Sequence, residues 1–377
     1  MKRAVLIPDS FKGTMSSKRI CAIMSERIAA HFPHCAVTSI PVADGGEGSV
    51  DAFLDALGGE KIYEDATGPH FERLRGFYGL LDGGRTAVIE MAAAAGLPLA
   101  GDDRDPSRTT TLGVGELMLA AARGGAKKLI IGLGGSATND CGCGAAAAAG
   151  VSFFNAAGES FVPVGGTLCD VARIDVSGLD PALREAEIIT MCDIDNPMYG
   201  ENGAAYIFGP QKGADADMVR SLDAGLRHIA GVIERDVGVE VSALSGAGAA
   251  GAMGAGMVAF FSSRLQMGIE TVLDTVRFED VIRGADVVFT GEGKLDSQSL
   301  RGKVVIGVAR RAKKLGVPVI AVVGGADRGA EAAFAEGVSA IFPTSRLPLD
   351  FERVREFSEE NLAFTMDNIL KLIGAGF

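Results

Sequence analysis

The segment GLGGSATNDCGCG (132–144) concentrates glycine beside Ser136, Thr138, Asn139 and two cysteines. Glycine lets the backbone approach an anion closely, and successive N–H groups form a nest for it. Gly134 and Gly135, with the side-chain donors of Ser136, Thr138 and Asn139, suit a phosphate or a carboxylate. A second dense segment, SGAGAAGAMGAG (245–256), offers Gly246, Gly248 and Gly251. Helical stretches follow at CGAAAAAG and AGMVAFF, and a helix N-terminus favours negative charge. The alternative for both segments is a tight turn packed against a neighbouring strand.

Acidic residues sit in similar company. CDIDNPMYG (192–200) places Asp193, Asp195 and Asn196 just past the strand-like AEIITM. DGGEG (44–48) gives Asp44 and Glu47, and PDS (8–10) gives Asp9 and Ser10. GEGKLDSQSLRGK (291–303) gathers Glu292, Lys294, Asp296, Arg301 and Lys303. A carboxylate at a strand end can hold Mg²⁺ or accept a proton from a hydroxyl. Asp and Asn also cap turns and helix starts, which is the structural alternative. FGPQKGA (208–214) sets Gln211 and Lys212 between glycines, as a ligand loop or a surface turn. SRTTTLGVGEL (107–117) offers Arg108 before a helix that threonine could cap.

Other chemistries fit poorly. A Walker loop needs Gly-Lys followed by Ser or Thr. Here Gly293–Lys294 and Gly302–Lys303 are followed by Leu and Val. G-x-G-x-x-G occurs at Gly246, Gly248 and Gly251, but behind a poor strand, EVSALS. Its alanine variant at Gly132, Gly134 and Ala137 lacks an acid at the end of the next strand, VSFF. Six cysteines without a C-x-x-C pair, and four histidines, do not make a zinc site. They read as free thiols of a cytoplasmic protein.

The elements that must hold these groups alternate. AVLIP, a polar loop and a helix with Ile20, Ile23, Met24 and Ile28 on one face begin the chain, with Ser16 as the cap. AVTSIPVA, DGGEGS and the helical VDAFLDAL repeat that order. Near the C-terminus come ADVVFTGEG, the helical VVIGVARRAKKLG, VPVIAVVGG, SAIFPT and one long amphipathic helix, FERVREFSEENLAFTMDNILKLI. Alternation of strand and helix predicts an α/β fold with a parallel sheet, which binds ligands at the carboxyl ends of its strands. The middle of the chain, with LRGFYGLL, TAVIEM and both glycine-rich segments, reads as a second domain. The boundaries fall at 1–71 with 284–377, and at 72–283.

Across 377 residues, Gly numbers 52, hydrophobic residues make up 47% and the net charge is −12. That balance argues against nucleic acid or an anionic membrane as partner. The uncharged run 242–263 is dominated by Ala, Gly and Ser, too weakly apolar to read as a span.

Taken together, PDSFKG, PVADGGEGSVDAF, IEMAAAAGL, TTTLGVGEL, IIGLGGSATND, CDIDNPMYGENGAAYIFGPQKGA, SGAGAAGAMGAG and VVFTGEGKLDSQSLRGK resemble the bacterial glycerate kinase family, of the glycerate 2-kinase type. The resemblance covers nearly the whole chain. It implies transfer of the ATP γ-phosphoryl group to a hydroxyl of D-glycerate, with Mg²⁺ on the ATP phosphates. It also implies a Rossmann/flavodoxin-like domain interrupted by a second α/β domain, with the active site expected in the cleft between them. Cys141 and Cys143 stand where small residues, often Gly and Ala, are usual, and Ala252 stands where Gly is usual.

Phosphoryl transfer rests on positioning and charge neutralisation. With the resemblance, Asp193 is expected to orient or deprotonate the hydroxyl, with Asp44 second. Lys12, Lys212, Lys294 and Lys303 are expected to neutralise charge. Asp193, Glu292 and Asp296 are the candidate Mg²⁺ ligands. Which loop holds ATP, which hydroxyl reacts, and whether the chain self-associates stay open. A nicotinamide-dependent dehydrogenase and a non-catalytic nucleotide-binding regulator are the alternatives.

Overall fold

The structure is a computed structural model. It describes the chain except residues 43, 44, 297, 298, 300, 301, 347–350 and 377, and the side chains of 351 and 352. The chain divides into two compact units. Met1–Asp44, Asp55–Leu57 and Ile269–Phe377 form one, and Gly45–Leu54 with Gly58–Gly268 form the other.

In the first unit, the strand Arg3–Pro8 lies between Val287–Gly291 and Ala36–Ser39. Val319–Val323 and Val338–Pro343 extend the sheet beyond Val287–Gly291, and every pairing is parallel. The central strand Val287–Gly291 is buried at each position, as expected for a parallel sheet covered on both faces. The helix Ser17–His31 starts where the Ser16 side chain accepts from the Arg19 N–H. It buries Ile20, Ile23, Met24 and Ile28 among Leu6, Phe289, Leu362 and Met366.

The predicted single C-terminal helix is two helices, Phe351–Arg355 and Ser358–Gly374, broken at Glu356 and Phe357. Of the expected strand 36–43, Ala36–Ser39 is strand and residues 40–42 are not, while residue 43 lies outside the described residues.

In the second unit, Arg264–Gln266, Glu187–Met191, Lys128–Gly132 and Thr86–Glu90 run parallel, in that order. Arg73–Leu81 and Glu60–Thr67 complete the sheet as an antiparallel hairpin. The core uses small side chains where helices approach closely. A Cβ on Gly115, in the helix Leu112–Arg123, would lie 2.2 Å from the carbonyl oxygen of Ala145 in the helix Cys143–Ala148.

The division differs from the sequence boundaries for two physical reasons. Residues 60–67 pair with 73–81 across a hairpin, so a break at 71/72 would cut that ladder. Residues 269–283 belong with the first unit because Arg311, in the helix Val304–Lys314, donates to Glu270, Asp274 and Glu279. Among the described residues, no helix is long and apolar enough to cross a membrane. The uncharged run holds a turn and the helix Ala249–Phe261.

Candidate active site

In the second unit, three parallel strands end side by side, with Glu90 opposite Gly132 and Gly132 opposite Met191. The Gly134 N–H donates to the Gly45 carbonyl at 2.9 Å, and a Cβ on Gly134 would lie 2.4 Å from the Gly46 Cα. Gly134 therefore serves close backbone approach, the packing alternative to a nest. Glu90, buried at its strand end, accepts from the Gly48 N–H at 3.1 Å and the Val50 N–H at 2.6 Å. It thereby caps the helix Ser49–Leu57. Burial raises its carboxyl pKa, and those two hydrogen bonds oppose the rise.

Asp140 is fully buried and accepts from the Thr111 N–H and hydroxyl, both at 2.8 Å, and from the Gly142 and Gly144 N–H groups. The Thr111 hydroxyl oxygen accepts from the Ala145 N–H at 2.9 Å. The start of the helix Cys143–Ala148, expected to offer its dipole to a ligand, is thus satisfied from within by a carboxylate and a hydroxyl. Burial raises the Asp140 pKa against those four hydrogen bonds.

Lys212 follows the helix Ala204–Phe208 and is only 2% exposed. Its Nζ donates to the Ser136 hydroxyl oxygen at 2.8 Å and to the Thr138 carbonyl at 2.7 Å. Burial pulls this ammonium down to about 7, against the raising effect of Asp140. Thr138 Oγ1 and both amide atoms of the Asn139 side chain are buried without a hydrogen-bond partner among the described residues.

The two glycine-rich segments meet. The Cys141 N–H donates to the Gly251 carbonyl at 3.1 Å, and a Cβ on Gly256 would lie 2.0 Å from the Cys141 carbonyl oxygen. Ala250, Gly251 and Ala252 are left-handed, with φ of 55°, 67° and 66°. Cys141 is left-handed too, with φ 56°. Cys141 and Ala252 therefore stand in a conformation that disfavours a side chain, whereas Cys143 lies in a helix. The motif at Gly246, Gly248 and Gly251 follows a turn, so it lacks the strand of a dinucleotide fingerprint.

Asp193 is exposed beyond the strand Glu187–Met191, and its Oδ1 accepts from the Gly268 N–H at 2.7 Å. Asn196 donates through Nδ2 to the Asn202 carbonyl, and its own carbonyl accepts from the Gly248 N–H at 3.0 Å. Gly246 lies against Cys192, at 2.6 Å from a built Cβ to Sγ. The unit thus brings Asn196, Gly246 and Gly248 together, and Ser136, Thr138, Asn139, Lys212 and Gly251 together. Arg108 is an exposed partner of Asp103 and Asp105, which answer its charge. Gln211 and Glu47 are exposed.

In the first unit, Glu292 follows the strand Val287–Gly291 and is 5% exposed. Its Oε1 is buried without a hydrogen-bond partner among the described residues. Burial pushes its carboxyl up to about 7; a Ser299 hydrogen bond and Lys303 oppose this, while Asp9 and Asp296 add to it. Asp9 leaves the adjacent strand, its N–H donating to the Gly291 carbonyl at 2.8 Å and its Oδ1 accepting from the Ser10 N–H. Asp296 and Ser299 exchange hydrogen bonds. Lys303 is exposed at the N-cap of the helix Val304–Lys314, and Lys12 is exposed in the loop after Ser10. Lys294 instead pairs with Asp327 at 2.9 Å, both exposed, so its charge is locally answered. Asp44 and Arg301 lie outside the described residues.

Glu90 and Asp140 were not among the residues expected from the sequence, and Thr111 was expected only within a run of threonines that could cap a helix. Their signals were an acid ending a strand in TAVIEM, a threonine before a helix, and an acid three residues before another. Among the described residues, no group of three or more His, Cys, Asp or Glu could hold a metal ion.

The fold defines a mixed α/β protein with parallel sheets, whose strand-end loops carry the candidate groups. The glycerate kinase family model matches residues 4–374. The chain is 43% identical to the glycerate kinase of Bacillus cereus, with 97% of each chain covered. It is 44% identical to the glycerate 2-kinase of Escherichia coli, with 90% of each covered. A crystal structure from Salmonella typhimurium LT2, assigned to glycerate kinase 2, matches with a TM-score of 0.88 at 40% identity, covering 100% of this chain and 99% of that one. The chain belongs to the glycerate kinase family, ATP-dependent kinases acting on an alcohol group.

Proposed function

We propose that the protein transfers the γ-phosphoryl group of ATP to the 2-hydroxyl of D-glycerate, giving 2-phosphoglycerate and ADP. Family membership over residues 4–374 supports the reaction, and the E. coli relative supports the choice of hydroxyl. The carrying observation is Asp193, an exposed carboxylate at a parallel strand end with one oxygen fixed by the Gly268 N–H. A carboxylate in that place suits accepting the proton of an attacking hydroxyl. We assign Asp44 as the second candidate for that role. Lys12 and Lys303 answer developing phosphate charge. Ser136, Thr138 and Asn139 serve an oxyanion from the loop that Lys212 holds, and Asn196 with Gly246 and Gly248 shapes the loop that carries Asp193.

Mg²⁺ would screen the ATP phosphates. The buried, unpartnered Oε1 of Glu292, beside Asp9 and Asp296, suits a hard cation. With no larger donor set among the described residues, Glu292 and Asp296 would add to phosphate ligation rather than replace it. We read the first unit as Rossmann/flavodoxin-like from its strand order, and the protein as cytoplasmic.

The test is ADP release with D-glycerate and Mg-ATP, followed by NMR of the product. Release that requires glycerate, with phosphate on carbon 2, is the expected result. Phosphate on carbon 3 would keep the kinase and overturn the position. Turnover of a nicotinamide, or ATP binding without turnover, would favour the rejected alternatives.

A further inference from the structure

We propose that Lys212 is a positioning residue that never touches the ligand: it holds and polarises the Ser136 hydroxyl, which donates to an oxyanion of the substrate or nucleotide. The inference rests on the kinase reading and concerns the same loop.

The geometry separates the two side chains. Lys212 is 2% exposed and spends two donors inside the protein, on Ser136 Oγ and the Thr138 carbonyl. A hydroxyl that accepts from an ammonium keeps its own hydrogen to donate. Among the described residues, no acceptor takes the Ser136 proton, and Ser136 sits in the loop that leaves a parallel strand, where such folds bind ligands. The unpartnered Thr138 Oγ1 and Asn139 amide flank it in sequence. A cation behind the hydroxyl strengthens the bond to an anion, as charge-assisted bonds are stronger than neutral ones.

Asp140 holds the arrangement. Its carboxylate is anchored by Thr111, Gly142 and Gly144, and it is the charge among the described residues that acts on Lys212; Ser136 and the Thr138 carbonyl are neutral. Gly213, left-handed at φ 99°, closes the turn after Lys212, and a Cβ there would meet the Arg104 carbonyl at 2.1 Å. The lysine is therefore fixed at both its backbone and its tip.

The oxyanion is the glycerate carboxylate or a nucleotide phosphate. Ser136→Ala, Lys212→Met and the double variant are compared by KM for each substrate, kcat and melting temperature. Each single change should raise one KM roughly 10- to 100-fold, the range for a hydrogen bond to a charged group. The double variant should be no worse than Lys212→Met alone. Which KM moves identifies the anion. In the wild type that KM should rise as pH climbs above about 7, and Ser136→Ala should flatten the rise. The pH arm decides the matter even if Lys212→Met does not fold.

A double variant that loses the product of the single effects would overturn the relay, as would a pH response unchanged in Ser136→Ala. Calorimetric Kd values for D-glycerate and ADP provide a separate arm. A wild type without glycerate-dependent turnover sinks the kinase reading, while these Kd values still judge the relay.

Discussion

A Cβ added to Gly251 would lie 2.0 Å from the carbonyl oxygen of Thr138, and Gly251 is itself left-handed at φ 67°. The residues are 113 positions apart, and their contact joins the two glycine-rich segments. Gly251→Ala must move backbone, not a side-chain tip. The expected loss is roughly 3 kcal/mol or more, above the usual range for a point change. Urea denaturation measures it; a loss under about 1 kcal/mol would mean the segments part easily.

The neighbouring position should respond in the opposite sense. Ala252 is left-handed at φ 66°, which disfavours a methyl by about 1–2 kcal/mol. Glycine relieves that strain but adds freedom to the unfolded chain, about 0.5–1 kcal/mol. Ala252→Gly should therefore stabilise by about 0.5–1 kcal/mol in the same assay. Destabilisation would show that the buried methyl packs for more than its strain.

These two positions mark what the sequence made legible. Strands such as Arg3–Pro8 and Lys128–Gly132 were readable because parallel strands are continuous apolar runs, and the cap at Ser16 because capping is local. The loops rich in Gly, Asp and Ser were readable as special by composition. Their contacts were not, because 138 meeting 251, or 45 meeting 134, depends on which strands become neighbours. Asp140 escaped for a related reason: its partner Thr111 is far away in sequence, so an internal cap looked like an open helix start. Lys294 misled because a lysine in a glycine loop carries no sign of the distant Asp327 that pairs with it.

Asp193→Asn should lower kcat by roughly 10²–10⁴-fold, the range for a positioned base. Asn keeps an oxygen that can accept from the Gly268 N–H, so that contact survives the change. Steady-state kinetics beside a melting curve separates the effects. Near-normal kcat, with Asp44→Asn inactive, would move the role to Asp44.

Glu292→Gln tests a buried charge. The folded pKa of Glu292 is raised from 4.5 to about 7, so the folded state binds more protons than the unfolded state between those values. Its contribution to stability is fully present below about pH 4.5 and is lost as pH rises to about 7. At pH 8, without divalent cations, the wild type carries the charge and Gln does not. The variant should melt higher at pH 8, by about 1–3 kcal/mol of stability, and lose the advantage at pH 5. Equal melting curves at pH 8 would mean the carboxylate is well solvated.

Lys303→Ala asks why a cation stands at a helix start. Lys303 is the N-cap of Val304–Lys314, where a positive charge is unfavourable by roughly 0.3–1 kcal/mol. Part of the answer is internal, since Lys303 favours the charged form of Glu292. That carboxyl is nonetheless held at about 7, so it is a weak anion near neutrality. A bound phosphate would be the stronger reason for the lysine. Removing it should leave the ligand-free melting temperature within a degree or two, because the helix-end penalty and the lost attraction to Glu292 oppose each other. Activity should fall on the order of 10²–10³-fold, as for loss of one transition-state donor. The measurements are a ligand-free melting curve and kcat/KM for both substrates. A marked drop in melting temperature with normal kinetics would make Lys303 a structural partner of Glu292, and would leave the neutralising role in this unit to Lys12.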